Sequence, residues 1–209
     1  MGRKTLGFGL LLIIVSAVVY YFNHADHVKN INTLKDALNV QLTQMQTNGF
    51  TVSDREIKKE AEHFVIQIND PQKAALFLRE KGMQVTAEEA EELIGVQVRT
   101  DVGYDKDIIA LDLYPITLPT YLTDIAASEN DKKILEQIKE MIKKKAFFMH
   151  VDIVHSNTTF TGYIKNIDEI LEGVKEIKLK LEGLQFSGEI KEERIVQYMQ
   201  KYDTFHFYM

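Results

Sequence analysis

A long uncharged and mostly apolar stretch, Leu6–Phe22, stands near the start of the chain. Two basic residues precede it, and no charged residue follows before Asp26. As a helix this stretch would extend about 26 Å, close to the thickness of the hydrocarbon core of a bilayer. The pattern predicts a transmembrane anchor over residues 1–24, with the N-terminus in the cytoplasm. A secretory signal that is cleaved after Ala17 is the alternative.

The next segment, residues 25–48, has the spacing of an amphipathic helix. Its apolar residues recur every three or four positions, at Val28, Ile31, Leu34, Leu38, Leu42 and Met45. This spacing predicts a membrane-proximal helix that ends at Asn48–Gly49. Such a helix packs on its own domain or binds a partner protein.

The middle of the chain alternates between strand and helix patterns. Asp70 and Pro71 are suited to the N-cap and the first position of a helix, and Thr86 with Glu89 forms a capping-box pattern. The predicted elements are a strand over 64–68, a helix over 71–81, a short helix after 86, a hairpin of 96–104 with 108–113, and a helix over 129–145.

The last third contains an internal repeat. Phe160–Lys165 and Phe186–Lys191 share the pattern F-[S/T]-G-x-I-K, in which apolar residues alternate as in a strand. Each copy precedes a stretch that is predicted to be helical, so the repeats extend over 158–175 and 184–202. The glycine inside each copy would permit close packing of a neighbouring backbone or ring.

Together these patterns predict an α+β fold. Its parts are an N-terminal transmembrane helix, a stalk helix and an antiparallel-sheet domain with strand–helix repeats. The domain is expected to cover residues 49–209, with a subdivision near residue 146. The alternating aromatic segment Tyr202–Met209 is expected either to complete this fold as an edge strand or to pair with another subunit.

Composition and charge restrict the chemistry. The chain has 25 Lys and Arg against 31 Asp and Glu, with a net charge of −6, which argues against binding to nucleic acid. It has no cysteine. His24 and His27 lack a third metal ligand nearby, and His150 and His155 face opposite sides of a strand. His150 with Asp152 is an improbable hydrolase pair. We therefore predict no catalytic residue, no cofactor and no metal site.

The anchor Leu6–Phe22, the segment Gly49–Ile68 and the repeat region Phe160–Lys191 resemble the YdgA-like proteins of Gram-negative bacteria. The resemblance implies an envelope protein with a single membrane span and without an assigned activity. It supplies no catalytic residues.

The leading functional hypothesis is a non-enzymatic scaffold or interaction protein of a cell-envelope complex, such as a flagellar motor or secretion machinery. It would be anchored in the inner membrane, with its domain in the periplasm and with other envelope proteins as partners. The candidate interaction residues are Ile31, Leu34, Leu38, Phe205, Phe207 and Tyr208. The alternative is a lipid-binding or lipid-transfer domain whose apolar groove is lined by Phe148, Phe160 and Phe186.

Overall fold

A computed structural model describes residues 31–80, 85–105, 108–124, 128–154, 159–172, 177–191 and 194–208. Within these residues the helices are α1 (Ile31–Thr47), α2 (Pro71–Glu80), α3 (Ala87–Glu91), α4 (Thr120–Asp124) and α5 (Glu129–Lys143). The strands are β1 (Phe50–Ile57), β2 (Ala61–Ile68), β3 (Gln97–Asp105), β4 (Ile108–Pro115), β5 (Met149–Val154), β6 (Thr159–Ile164), β7 (Ile167–Leu171), β8 (Ile177–Glu182), β9 (Gln185–Lys191), β10 (Arg194–Lys201) and β11 (Thr204–Tyr208).

Local capping signals set several helix boundaries, as predicted. Pro71 is the first residue of α2, and the Asp70 carboxylate accepts a hydrogen bond from the Lys73 backbone N–H at 3.1 Å. Thr86 and Glu89 form both hydrogen bonds of a capping box at the start of α3. The predicted hairpin is also confirmed, because β3 pairs with β4 in antiparallel register.

The described strands form two antiparallel sheets. The larger one has the order β1-β2-β3-β4-β5-β6-β9-β10, and the smaller one has the order β11-β8-β7. The chain passes from the smaller sheet to the larger one at Gly183, where φ is +66°. The edge strand β1 carries a bulge between Ser53 and Glu56, with Asp54 in a left-handed conformation. Such irregularity hinders edge-to-edge pairing with another chain.

Helices and sheet residues share one hydrophobic core. Leu34, Leu38, Leu42 and Met45 of α1 are buried in it, together with alternate residues of the larger sheet. Thus α1 packs on its own domain. Leu34 and Leu38 are therefore not available as interaction residues, because the core already covers the apolar face that the sequence pattern identified. Ile31 is the first residue of α1.

The two copies of the repeat pack against each other. β6 and β9 are neighbours in the larger sheet, and their antiparallel register places Phe160 opposite Gly188 and Gly162 opposite Phe186. A Cβ atom at either glycine would overlap the phenylalanine ring of the other copy. The prediction that each glycine permits close packing of a ring is confirmed.

The predicted helices that follow the two copies are wrong. Residues 167–171 form β7, which pairs with β8, and residues 194–201 form β10, which pairs with β9. The strand–helix repeat is therefore a strand–strand repeat. Pairing with a neighbouring strand overrides the weak helical periodicity of these segments.

The predicted transmembrane anchor over residues 1–24 lies outside the described residues. In the part of the chain that the structure describes, no helix is long and apolar enough to cross a membrane. The predicted α+β fold class is therefore corrected, and the predicted single-span anchor, with its inner-membrane location and periplasmic domain, has no counterpart among the described helices. The described chain is mostly antiparallel sheet, and its helices contribute to the core of that sheet.

Candidate functional site

The face of the larger sheet that points away from the core, here called the outer face, carries a polar row. Residues that lie directly opposite each other on neighbouring antiparallel strands share a face of the sheet. The register therefore places one residue from each of the eight strands of the larger sheet in a line, called the outer row. Its members, from β1 to β10, are Glu56, His63, Asp101, Asp112, His150, Tyr163, Gln185 and Lys201.

The centre of the outer row holds two carboxylates in direct opposition. Asp101 of β3 pairs with Asp112 of β4, and like charges in this position destabilise a sheet. Asp101 accepts hydrogen bonds from Arg99 Nε at 2.9 Å and from the Tyr114 hydroxyl at 3.0 Å. Asp112 contacts the ring of His150 instead. Each carboxylate is thus compensated by its own partner rather than by the other.

His150 lies between two carboxylates. Its Nδ1 is 2.6 Å from Asp112 Oδ1, and its Nε2 is 3.2 Å from Asp152 Oδ1. Only the protonated ring can donate hydrogen bonds to both at once. Partial burial lowers the pKa of His150, but the hydrogen bond with Asp112 and the charge of Asp152 outweigh that effect. The pKa of His150 is consequently raised above its usual 6.5.

This pKa shift predicts how the stability contributed by His150 depends on pH. The pKa is higher in the folded than in the unfolded chain, so the contribution is complete below about pH 6.5 and is lost as the pH rises through the folded-state pKa. We expect the difference in free energy of unfolding between wild type and His150→Gln to shrink by up to about 1 kcal/mol between about pH 5.5 and about pH 8.5. Urea denaturation of both proteins at each pH, followed by circular dichroism, measures this difference in the free energy of unfolding. A difference that stays constant over this range would contradict the prediction.

Aromatic rings border the outer row. The rings of Tyr114 and Phe148 are stacked with centroids 6.4 Å apart, and Phe148 is also 6.4 Å from Tyr163. The Lys145 ammonium lies 3.9 Å from the centroid of the Tyr114 ring, within cation–π distance. These three rings, called the aromatic row, therefore already bind one cation at their Tyr114 end.

Beside Tyr163 the outer face forms a groove of about 750 Å³ across β5, β6, β9 and β10. Tyr163 and Met199 are 45% and 59% exposed. A smaller hollow of about 250 Å³ lies on β2, β3 and β4, where Ala61, Gly103 and Ala110 leave space. The side chains that line the larger groove include His150, Asp152, Tyr163, Ser187, Met199 and Lys201.

The structure does not bring together the residues of the predicted apolar groove. Phe160 and Phe186 are buried in the core, with ring centroids 6.5 Å apart. Phe148 lies on the outer face, in the aromatic row. Phe148 and Phe160 belong to different segments of the chain, so the alternation within each segment does not show whether the two rings share a face of the sheet. The register between β5 and β6 decides which residues share a face.

The terminal aromatic segment completes the smaller sheet. β11 pairs with β8 over its whole length, from Thr204 to Tyr208, which confirms the interpretation as an edge strand. Phe205 is 48% exposed, and Phe207 lies in the same paired strand. β11 is the last strand on its side of this sheet.

The outer face thus combines a histidine held by two carboxylates, an aromatic row and an open groove. Sequence reasoning named His150 and Asp152 but treated them as an improbable pair, although a spacing of two residues places them on one face of a strand. It missed Asp112 altogether. Among the described residues, no group of three or more His, Asp or Glu side chains is placed to hold a metal ion.

Comparison of the chain with protein-family models, with curated proteins and with solved structures finds no match. The resemblance to the YdgA-like proteins therefore stays a hypothesis.

Proposed function

We propose that this chain is a non-enzymatic binding protein that takes up an extended segment of a partner protein in the outer-face groove. The observation that carries the proposal is the exposure of two large side chains, Tyr163 and Met199, in a concave surface of about 750 Å³. Exposed apolar side chains in a concave surface with a few placed polar groups are typical of binding sites.

The strand that borders the groove supports the same function. β10 is an edge strand of the larger sheet, and its residues 197–201 are all exposed. A partner segment that crosses the groove therefore leaves it at the edge strand β10, where its following residues could turn and run along that strand. An extended segment can add to such an edge through main-chain hydrogen bonds, with its side chains held by neighbouring pockets.

The lipid-binding alternative has less support. Phe160 and Phe186, which were expected to line an apolar groove, instead fill the core and lie against Gly188 and Gly162. The groove that the structure does have is open and carries charged side chains. An acyl chain would remove solvent from the charged carboxylate of Asp152, which is unfavourable.

Site-specific photo-cross-linking tests the proposed function. With a photoreactive residue in place of Met199, we expect a discrete adduct with a partner protein in cells that naturally produce the chain. The matched control carries the probe at Ile170, which is 50% exposed on β7 of the smaller sheet and lies outside the groove. The additional substitution Tyr163→Ser should weaken the adduct at position 199, because it removes a ring from the groove.

Two results would overturn the proposal. One is the absence of an adduct when the probe is at position 199 or at position 163. The other is an adduct with the same proteins and the same yield when the probe is at position 170, since that would indicate non-specific contact.

A further inference from the structure

The β5 end of the groove, together with the neighbouring Asp112 of β4, carries more negative than positive charge. Asp112 and Asp152 are both within ion-pair distance of His150, and among the described residues this one ring is the cation that contacts both of them. The single positive charge of a protonated His150 ring therefore faces two negative carboxylates. The group keeps a net charge of −1 when the ring is protonated and −2 when it is neutral.

The aromatic row already has a cation of the chain itself at one of its rings. At one end the ammonium of Lys145 covers the ring of Tyr114, which is buried. At the other end the ring of Tyr163 is open to the groove, beside the ring of His150 at a centroid distance of 5.3 Å. Aromatic faces next to carboxylates favour lysine and arginine side chains through cation–π and ionic attraction together.

We propose that the groove selects partner segments that carry a lysine or arginine side chain, which lies against Asp152 and Asp112 and over the ring of Tyr163. This inference rests on the proposed function and specifies the chemistry of the partner. The basic side chain would repeat at Tyr163 the contact that Lys145 makes at Tyr114.

The far end of the groove restricts where the basic side chain can lie. In the outer row Tyr163 is followed by Gln185 and then by Lys201 of β10. Lys201 repels a basic side chain, so such a side chain is favoured at the β5–β6 end. The groove crosses four strands, or about 14 Å, which corresponds to four or five residues of an extended segment.

A proton on His150 and the basic side chain of the partner compete for the same carboxylates. The charged groups that face His150 are Asp112 from β4 and Asp152 from β5, and Asp101 of β3 is next in the outer row. The titratable ring that faces it from β6 is Tyr163. Binding of a basic segment should therefore tighten as the pH rises and His150 loses its proton, and His150→Gln should remove this dependence.

Two peptide pools test the inference with the full chain. The peptides are about ten residues long and blocked at both ends, and the pools differ only in a central position fixed as lysine or as glutamate. The measured quantity is the amount of each pool that the immobilised protein retains. We expect wild type to retain about five times more of the lysine pool, the size of effect expected from a partly exposed charge pair.

The variants change the ratio of retained lysine pool to retained glutamate pool in opposite directions. Asp112→Asn with Asp152→Asn should bring it close to one, whereas Lys201→Glu should raise it by extending the acidic region. Asp168→Asn is the matched control, because Asp168 is exposed on β7 and should leave the ratio unchanged. Circular dichroism melting curves show that each variant is folded.

The failures can be told apart. Equal retention of both pools, abolished by Tyr163→Ser with Met199→Ser, would overturn the lysine or arginine preference and leave the proposed function standing. A lysine preference that persists in the double asparagine variant would also overturn the inference. Retention of neither pool above that of an unrelated protein would overturn both.

Discussion

Alanine in place of Gly162 or Gly188 is expected to lower the free energy of unfolding by about 3 kcal/mol. A Cβ atom at Gly162 would overlap the ring of Phe186 and the backbone carbonyl of His150, and one at Gly188 would overlap the ring of Phe160 and the carbonyl of Gln197. A phenyl ring can move only by displacing the core, and a paired strand can move only by breaking its ladder. Overpacking at such a site costs from about 1 to about 3 kcal/mol or more. Chemical denaturation followed by circular dichroism gives the value.

A third glycine of the larger sheet provides the control. A Cβ atom at Gly103 of β3 would meet only the Cβ of Ala110, at 3.8 Å, which is an ordinary contact. Gly103→Ala should therefore leave stability unchanged or raise it slightly, because alanine reduces the freedom of the unfolded chain. If Gly162→Ala were as stable as Gly103→Ala, the packing of each ring on the opposite glycine would not constrain the sheet.

A double variant isolates the ring contact. Adding Phe186→Leu to Gly162→Ala removes the overlapping ring atoms, so the double variant should be more stable than the sum of the two single effects predicts. Residues in contact commonly show an interaction energy of about 0.5 to about 3 kcal/mol in such a cycle. An interaction energy near zero would indicate that the backbone carbonyl of His150, rather than the ring, limits the space at Gly162.

The glycine contacts could be anticipated because the signal is local. The six-residue copies alternate with period two, and a glycine among bulky neighbours in a strand suggests close approach of another group. The segments after the copies, 168–174 and 192–202, were predicted as helices because their apolar spacing is compatible with either structure. Their pairing with β8 and β9 depends on residues elsewhere in the chain, and this information is absent from a single short window.

The candidate site illustrates the same limit. Asp112 and His150 are 38 positions apart, and only the register between β4 and β5 places them opposite each other. A slip of one residue would move each side chain to the other face of the sheet. In α1 the periodicity correctly revealed an apolar face, but it does not show what covers that face. The pattern therefore leaves open whether Leu34 and Leu38 contact a partner or their own domain, and the structure buries them in the core.

The second large effect is expected at Glu62, a carboxylate buried on the core side of β2. Its Oε2 accepts a hydrogen bond from Arg55 Nε at 3.0 Å and lies 2.9 Å from Arg55 Nη2 in an ion pair. The hydroxyl of Tyr104 donates to its other oxygen. Arg55 Nη1 also donates to Asn39 of α1 at 2.7 Å, so this cluster links the first helix to the first three strands.

Glu62→Ala is expected to lower the free energy of unfolding by about 2 to 3 kcal/mol, the cost of leaving a buried polar group unsatisfied together with the loss of a charge-assisted hydrogen bond. The substitution leaves the buried hydroxyl of Tyr104 without its acceptor, and it leaves the partly exposed guanidinium of Arg55 without its carboxylate partner. Burial, followed by the hydrogen bond to Glu62, raises the pKa of Tyr104, so its hydroxyl stays protonated and continues to need an acceptor. Urea denaturation of the variant and wild type at neutral pH measures the loss.

Replacing the whole cluster separates the cost of leaving polar groups unpaired from the stabilisation that the contacts of the cluster provide. The triple variant Arg55→Met, Glu62→Leu and Tyr104→Phe removes both charges and the hydroxyl together, so no buried polar group is left unpaired. Asn39, which loses its contact with Arg55, is exposed and can bond to water. It should recover most of the stability lost in Glu62→Ala, as apolar replacements of buried ion pairs often do. Glu136→Ala, which removes an exposed ion pair with Lys139 on α5, is the surface control and should have little effect. A triple variant no more stable than Glu62→Ala would contradict this explanation. It would indicate that the polar contacts of the cluster themselves stabilise the packing of α1 on the sheet.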